Sequence, residues 1–369
     1  MTIEQIMTRE SAVKMSSTAQ RRTVLMAKYK WLRALHGRNF GSNYDISNRC
    51  NLFCEGCLYF AGGEFEVYDD TADDKSWDVF FASEAKRGVN FAYIGGAEPS
   101  LEPARIAAAA KHIPAGIIMT NGIKRIDRSI PYRIHISIWG DKDNVAKYRG
   151  ADTTTKAMRN YQNDPRAVMV MTISNQNIEQ IPNVVAQCAE FGLPLTFSYF
   201  SATVDYMKRL RGEEHSDAYI FTSTPDENLR MQPSDFIAAR KQIDAAIEAY
   251  PDTVIYERHY DDWIAQDEPL YDLDANGVAT NCGNRLNAKF NHFDVEQQEH
   301  QGKCCSPNID CSDCKAYAMG LGSYIVLHKD LRNLDKFEKW IAVFEHWMRL
   351  YMPIDIVNKM EAQDVGTVL

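Results

Sequence analysis

The sequence predicts an α/β fold: a partial (β/α)6 TIM-like barrel, then a small cysteine-rich C-terminal extension and a terminal helix. Three observations carry that expectation. Six short apolar runs alternate with helical patterns between residues 39 and 200, the alternation then stops, and the cysteines crowd into two distant stretches.

Taken in order, residues 1–38 read as an N-terminal helical segment, charged along its length and stopped by Gly37. Strand-like runs follow at 43–47, 90–94, 116–120, 133–138, 168–174 and 195–199. Helical patterns lie between them at 76–86, 103–112, 153–163 and 181–191, and Gly88 and Gly192 sit where C-terminal helix caps belong. Such alternation implies parallel strands joined by crossover helices. Six units are too few to close an eight-stranded barrel, so a partial barrel or open sheet over 39–200 is expected. Residues 201–255 read as a linker, polar and irregular as far as 232, and a helix over 233–250. Residues 256–330 hold the second cysteine group. The region 331–369 carries an amphipathic helix over 331–351, whose Trp340, Phe344, Trp347 and Leu350 form a stripe suited to core packing.

Composition excludes several classes. With 369 residues, 45% of them hydrophobic and 25% charged, the chain can bury a sizeable core. A net charge of −9 argues against a nucleic-acid partner, which needs clustered Lys and Arg. No apolar run is long enough to span a bilayer, and Met1 to Glu10 lack the apolar core of an export signal, so no membrane partner and a cytoplasmic location are expected.

Thiols in that compartment stay reduced, so the distribution of the nine cysteines is informative. Cys50, Cys54 and Cys57 form one group, Cys282, Cys304, Cys305, Cys311 and Cys314 another, and Cys188 stands alone. Two tight groups and an odd total suit metal or iron–sulfur sites better than disulfides. The first group follows the first predicted strand directly. Three thiolates on one loop can wrap one face of a cubane, and because a 4Fe–4S cluster takes four ligands, one iron stays open. A zinc site wants a fourth ligand nearby, yet the residues up to Arg87 contain neither Cys nor His.

Cys-x3-Cys-x2-Cys after the first strand of a repeating strand–helix domain resembles the radical S-adenosylmethionine (SAM) superfamily. The resemblance implies a 4Fe–4S cluster on Cys50, Cys54 and Cys57. Its open iron chelates SAM, which is cleaved reductively to a 5′-deoxyadenosyl radical that abstracts hydrogen from a substrate. Further segments at predicted strand ends fit it. Gly95-Gly96-Ala97-Glu98-Pro99 resembles the family's Gly-Gly-Glu-Pro type segment, which implies that Gly95, Gly96 and Glu98 meet the methionine ammonium; the plain reading of Glu98 is a helix-capping acid. Thr120-Asn121-Gly122 matches a turn common at that place in the family. Ser137 and Arg149 match a Ser and a downstream Arg that hold the SAM carboxylate, and an Arg fork suits a carboxylate by shape as well as charge. The likeness spans residues 43–199. Two departures stand out. Gly56 occupies the position of a large residue beside the adenine, for which Phe53, Tyr59 or Phe60 are the candidates to compensate. Trp139 replaces a usual Asp and, with Tyr199, is expected to shape the substrate pocket.

The second cysteine group is similar to the auxiliary-cluster extensions of the same superfamily. Asp274-Ala275-Asn276-Gly277 reads as a turn, and 290–295 with 303–306 as a hairpin. Five cysteines are too few for a two-cluster SPASM pattern, so a single Twitch-like 4Fe–4S cluster is expected. Its ligands are Cys282, Cys311, Cys314 and one of Cys304 and Cys305, since neighbours on a strand face opposite ways. Structural zinc is the alternative, and His292 and His300 lie close enough in sequence to substitute as ligands. Between 199 and 232, Tyr206, Arg209, Arg211 and His215 are candidates to line the open side of the barrel.

The expected function is therefore a radical SAM enzyme acting on a small metabolite or natural-product precursor. A reducing partner such as a flavodoxin or ferredoxin would supply the electron, and the auxiliary cluster would assist oxidation or substrate binding. A peptide-modifying maturase is the alternative within the class. A non-catalytic iron–sulfur binding or redox-sensing protein is the alternative outside it, and Glu98, Ser137 and Arg149 argue against that one, since a sensor needs no SAM-binding groups.

Overall fold

The computed structural model describes residues 3–59, 72–213, 220–287, 289–299 and 309–362, with side chains from residue 17 onward. The first helix, α1 (Ile3–His36), ends where Gly37 turns left-handed. Next come β1 (Gly41–Asp45), α2 (Asp74–Arg87), β2 (Phe91–Gly95), α3 (Pro103–His112), β3 (Ala115–Thr120), β4 (Arg133–Ile138), α4 (Lys142–Arg149) and α5 (Thr154–Tyr161). They are followed by β5 (Ala167–Ile173), α6 (Ile181–Glu190), β6 (Leu195–Tyr199), α7 (Val204–Leu210), α8 (Pro233–Ala249) and α9 (Arg258–Ile264). The chain continues with α10 (Gly283–Leu286), β7 (His292–Phe293), α11 (Tyr317–Leu327), α12 (Leu334–Tyr351) and α13 (Ile354–Ala362).

Strands such as Ala167–Ile173 are apolar almost throughout because a parallel sheet is covered on both faces. Among the described residues the seven strands are all parallel, in the order β6-β5-β4-β3-β2-β1-β7. The sheet stays open, with β6 and β7 at its edges, so the fold is a mixed α/β partial barrel with one strand more than expected. Alternation separates the faces. Tyr44 points out to Phe80 and Phe81 of α2. His135 points in, where its Nε2 lies 2.9 Å from the Leu350 carbonyl oxygen and its ring meets Tyr317 and Tyr351. The C-terminal helices thus plug the inner face away from the strands' C-terminal ends. The α12 stripe packs as expected: Trp340, Phe344, Trp347 and Tyr351 stack with centroids 5.0, 6.2 and 5.5 Å apart, all buried.

Of the hairpin expected over 290–295 and 303–306, residues 303–306 lie outside the described residues, while His292 and Phe293 pair in parallel with Asn43 and Tyr44 and Phe293 makes an antiparallel bridge to Glu299. The parallel pairing of this segment with β1, and two further features, were not expected. The aromatic face drives that pairing, since Phe293 stacks on Tyr44 at 5.7 Å and meets Phe80 edge-on at 5.0 Å. The stretch after Ile138 holds α4, started by Asp141 accepting from the Asp143 and Asn144 N–H groups and stopped by left-handed Gly150. The stretch expected to be irregular holds α7, capped by Thr203 and burying Tyr206 and Leu210 one turn apart. These two join Tyr148, Phe200, Ala202 and Leu229 in a second, smaller core beside the C-terminal ends of the strands.

Candidate functional site

The site begins where β1 and β2 release the chain. Ile46 N–H donates to Gly95 O at 3.2 Å and Ala97 N–H to Ser47 O at 2.8 Å, so the two exit loops cross backbone to backbone. Gly96 is required there. It has φ 112°, and a Cβ would stand 2.7 Å from Ser47 O.

The cysteine loop leaves this crossing, held by Arg49, which pairs with Glu102 through its guanidinium. Cys50, Cys54 and Cys57 are all half-buried. Asn121, from the loop after β3, donates through Nδ2 to Asn51 Oδ1 at 2.8 Å and lies 3.9 Å from Cys50 Sγ. Arg149, buried at the end of α4, donates from Nε to Cys54 Sγ at 3.3 Å and from Nη1 to the Ser137 carbonyl at 2.6 Å, its guanidinium 5.7 Å from the Trp139 ring centre. Burial pushes the Cys50 thiol up to about 11. A thiolate there needs a cation beside it, and a coordinated metal deprotonates a thiol outright. Among the described residues, no three His, Cys, Asp or Glu side chains are gathered closely enough to hold a metal ion. The three thiols share one loop and one mouth without yet meeting. As a donor set they fit an iron–sulfur cluster: soft sulfur ligands with N–H donors aimed at two of them.

Glu98 is buried and satisfied by the protein. Oε1 accepts from Ser100 N–H at 3.0 Å and Thr120 Oγ1 at 2.6 Å, and Oε2 accepts from Asn121 N–H at 2.8 Å. It caps the 3-10 turn Pro99–Leu101 and ties the loops after β2 and β3 together. Ser137 and Arg149 are brought together through the Ser137 carbonyl rather than its hydroxyl.

Gly56 explains itself locally. It has φ 63°, and a Cβ there would lie 2.8 Å from Phe200 Cζ. Phe200 fills that space, and Trp139 meets it edge-on with centroids 6.0 Å apart. Phe53, one of the expected substitutes, is 54% exposed, and Phe60 lies outside the described residues. Tyr199 is not at the mouth. Its hydroxyl donates to Asp261 on α9 at 2.8 Å, because strand alternation turns it to the helical face. The same alternation would have picked out Phe200. Tyr206 is buried in the small core, Arg209 lies over Phe221, Arg211 pairs with Glu213, and His215 lies outside the described residues.

The second cysteine group approaches from the far side of the same connection. Ile309 bridges Thr203, and Lys315 N–H donates to Ser201 Oγ at 2.9 Å, which sets Cys311 and Cys314 beside the exit of β6. Cys282 precedes α10, whose Gly283 N–H donates to Ser323 on α11. Cys304, Cys305 and His300 lie outside the described residues. His292, the other candidate substitute, has its Nε2 2.9 Å from Asp45 Oδ2. Cys188 is buried within α6.

Solved structures share part of this course. SuiB of Streptococcus suis bound to S-adenosylmethionine matches with a TM-score of 0.49 and 13% identity, over 72% of this chain and 60% of SuiB. The structure of anSMEcpe with bound AdoMet gives a TM-score of 0.49 and 14% identity, over 77% of this chain and 80% of that one. SuiB bound to its precursor peptide SuiA gives 0.46 and 12%, over 85% of this chain and 68% of SuiB. This chain thus spans less than two thirds of SuiB in the first of these matches. No family model and no curated protein matches it. Among the described residues, no helix is long and apolar enough to cross a membrane.

Sequence reasoning missed Glu55, Asn51 and Thr120. An acid between two candidate ligands is a signal for the first; the other two have none beyond adjacency to a motif.

Proposed function

We propose that this chain is a radical SAM enzyme, with Cys50, Cys54 and Cys57 as the ligands of its catalytic 4Fe–4S cluster. One observation carries the reading: the cysteine loop meets Asn121, itself bonded to Glu98, and Arg149 at the C-terminal ends of four adjacent parallel strands, where α/β folds gather their chemistry. Bound there with SAM, the cluster supplies one-electron cleavage of the sulfonium and a carbon radical that takes a hydrogen atom from substrate.

The chain's own residues orient and shield. The Arg149 guanidinium offsets the negative charge of a thiolate at Cys54 and fixes its direction. Its Nη2 is left to meet a carboxylate. Glu98 Oε2, with one donor, keeps a lone pair for an ammonium. Phe200 and Trp139 wall the mouth with apolar surface and exclude water from it. The substrate class we favour is a small metabolite or natural-product precursor, and an external electron carrier such as a flavodoxin or ferredoxin would feed the cluster. Cys282, Cys311, Cys314 and one of Cys304 and Cys305 would hold a second 4Fe–4S cluster that accepts an electron or anchors substrate.

The test is anaerobic reconstitution with iron and sulfide, followed by reduction and electron paramagnetic resonance with and without SAM. The reduced signal should change on adding SAM, and Cys54→Ala should lose the SAM-sensitive part alone. A fully loaded protein whose signal ignores SAM refutes the proposal. Two clusters require roughly eight irons per chain and one requires four.

A further inference from the structure

Glu55 sits between Cys54 and Cys57, and its carboxylate is completely buried. Such a charge is tolerated only when donors surround it. They come from one segment of chain and one helix. Thr222 donates to Oε2 from its backbone N–H at 2.7 Å and from Oγ1 at 3.0 Å. Ser223 donates to Oε1 through its hydroxyl, and Tyr206 of α7 reaches the same oxygen at 3.4 Å. Tyr206 also pairs with Ser223 at 2.8 Å and accepts from Leu229 N–H at 3.0 Å, so the donors are themselves held. The backbone runs alongside: Ile220 N–H donates to Phe53 O at 3.2 Å, and Glu55 N–H donates to Tyr148 O at 2.8 Å.

We infer that Glu55 is a positioning residue, a latch that fastens the cysteine loop to the 220–224 strap and thereby sets the stance of Cys54 and Cys57. The inference rests on the reading of those cysteines as cluster ligands. Three of the carboxylate's contacts come from within two adjacent residues of the strap, so the strap and the loop order each other. Gln at 55 would aim an amide donor at donors and break the latch without changing side-chain size.

Glu55→Gln and, from the strap side, Ser223→Ala test this in the full chain. Hydrogen exchange of the peptides covering 53–57 and 220–224 needs no cluster. Loss of a charge-assisted bond should speed exchange in both segments about tenfold or more for Glu55→Gln, and less for Ser223→Ala. In the reconstituted protein, both variants should also change the paramagnetic resonance line shape of the reduced SAM-binding cluster, while circular dichroism stays that of the parent. Unchanged exchange in either segment overturns the latch. Faster exchange with an unchanged cluster signal overturns the positioning role. Should Glu55→Gln fail to fold, Ser223→Ala decides by the same two readouts. If the parent protein binds no cluster, the functional reading falls, while the exchange of the two segments still decides whether Glu55 joins them.

Discussion

Arg149 links three parts of the mouth: Cys54 through its Nε, β4 through the Ser137 carbonyl, and Trp139 through its face. A lysine there keeps the charge but cannot hold two directions at once. On the proposed reading of Cys54 as a cluster ligand, Arg149→Lys should lower SAM cleavage by about 10–100-fold, the usual cost of losing a partner that orients a metal ligand, with little change in the unfolding midpoint. Gly56→Ala makes the opposite kind of change. A left-handed backbone and the Phe200 ring both oppose the new methyl group, so the protein should lose ~1–3 kcal/mol in urea unfolding. At this scale the sequence singles out scarce residues at chemical spacings, and the structure brings two of them together, Arg149 against Cys54. The sequence is illegible where a common residue acts by shape. Phe200 fills the place left by Gly56 from more than a hundred residues away, and no local pattern reports that contact.

Elements were legible where periodicity and burial agree. The six strands of the barrel and the helices between them come from alternating apolar runs, and the observed strands start or end within about two residues of those runs. The short helices α4 and α7 depend on caps, Asp141 and Thr203, which are weak signals without an apolar stripe beside them. β7 is two residues long and owes its place to a tertiary face rather than to its own propensity. Phe293 supplies that face, lying between Tyr44 and Phe80. Phe293→Ala should therefore cost ~3 kcal/mol in unfolding free energy and release β7 first, seen as faster amide exchange at His292 than in the strands β2 to β5. Equal exchange across the sheet would contradict that order.

Across the whole molecule, the C-terminal helices are as much a part of the barrel as its strands, and two histidines buried where they pack, His135 on β4 and His346 on α12, make that measurable. Burial pushes His135 down to about 4 and His346 down to about 3, against an ordinary value near 6.5. Below that ordinary value the unfolded chain takes up protons that the folded chain refuses, so stability falls as the pH drops. Asp261 works the other way: burial raises it to about 6, and the folded state gains a proton first. The clean readout is a difference. Between about pH 7.5 and about pH 5, His346→Leu should lose about 2 kcal/mol less stability than the parent, and an identical pH slope in both would contradict the assignment.

The central claim concerns the mouth those helices leave open. Its most direct test is 5′-deoxyadenosine produced from SAM by the anaerobically reconstituted, reduced protein, measured beside Cys54→Ala. The parent should form it and the variant should not. A cluster-loaded parent that forms none, or a variant that forms as much, would contradict the account.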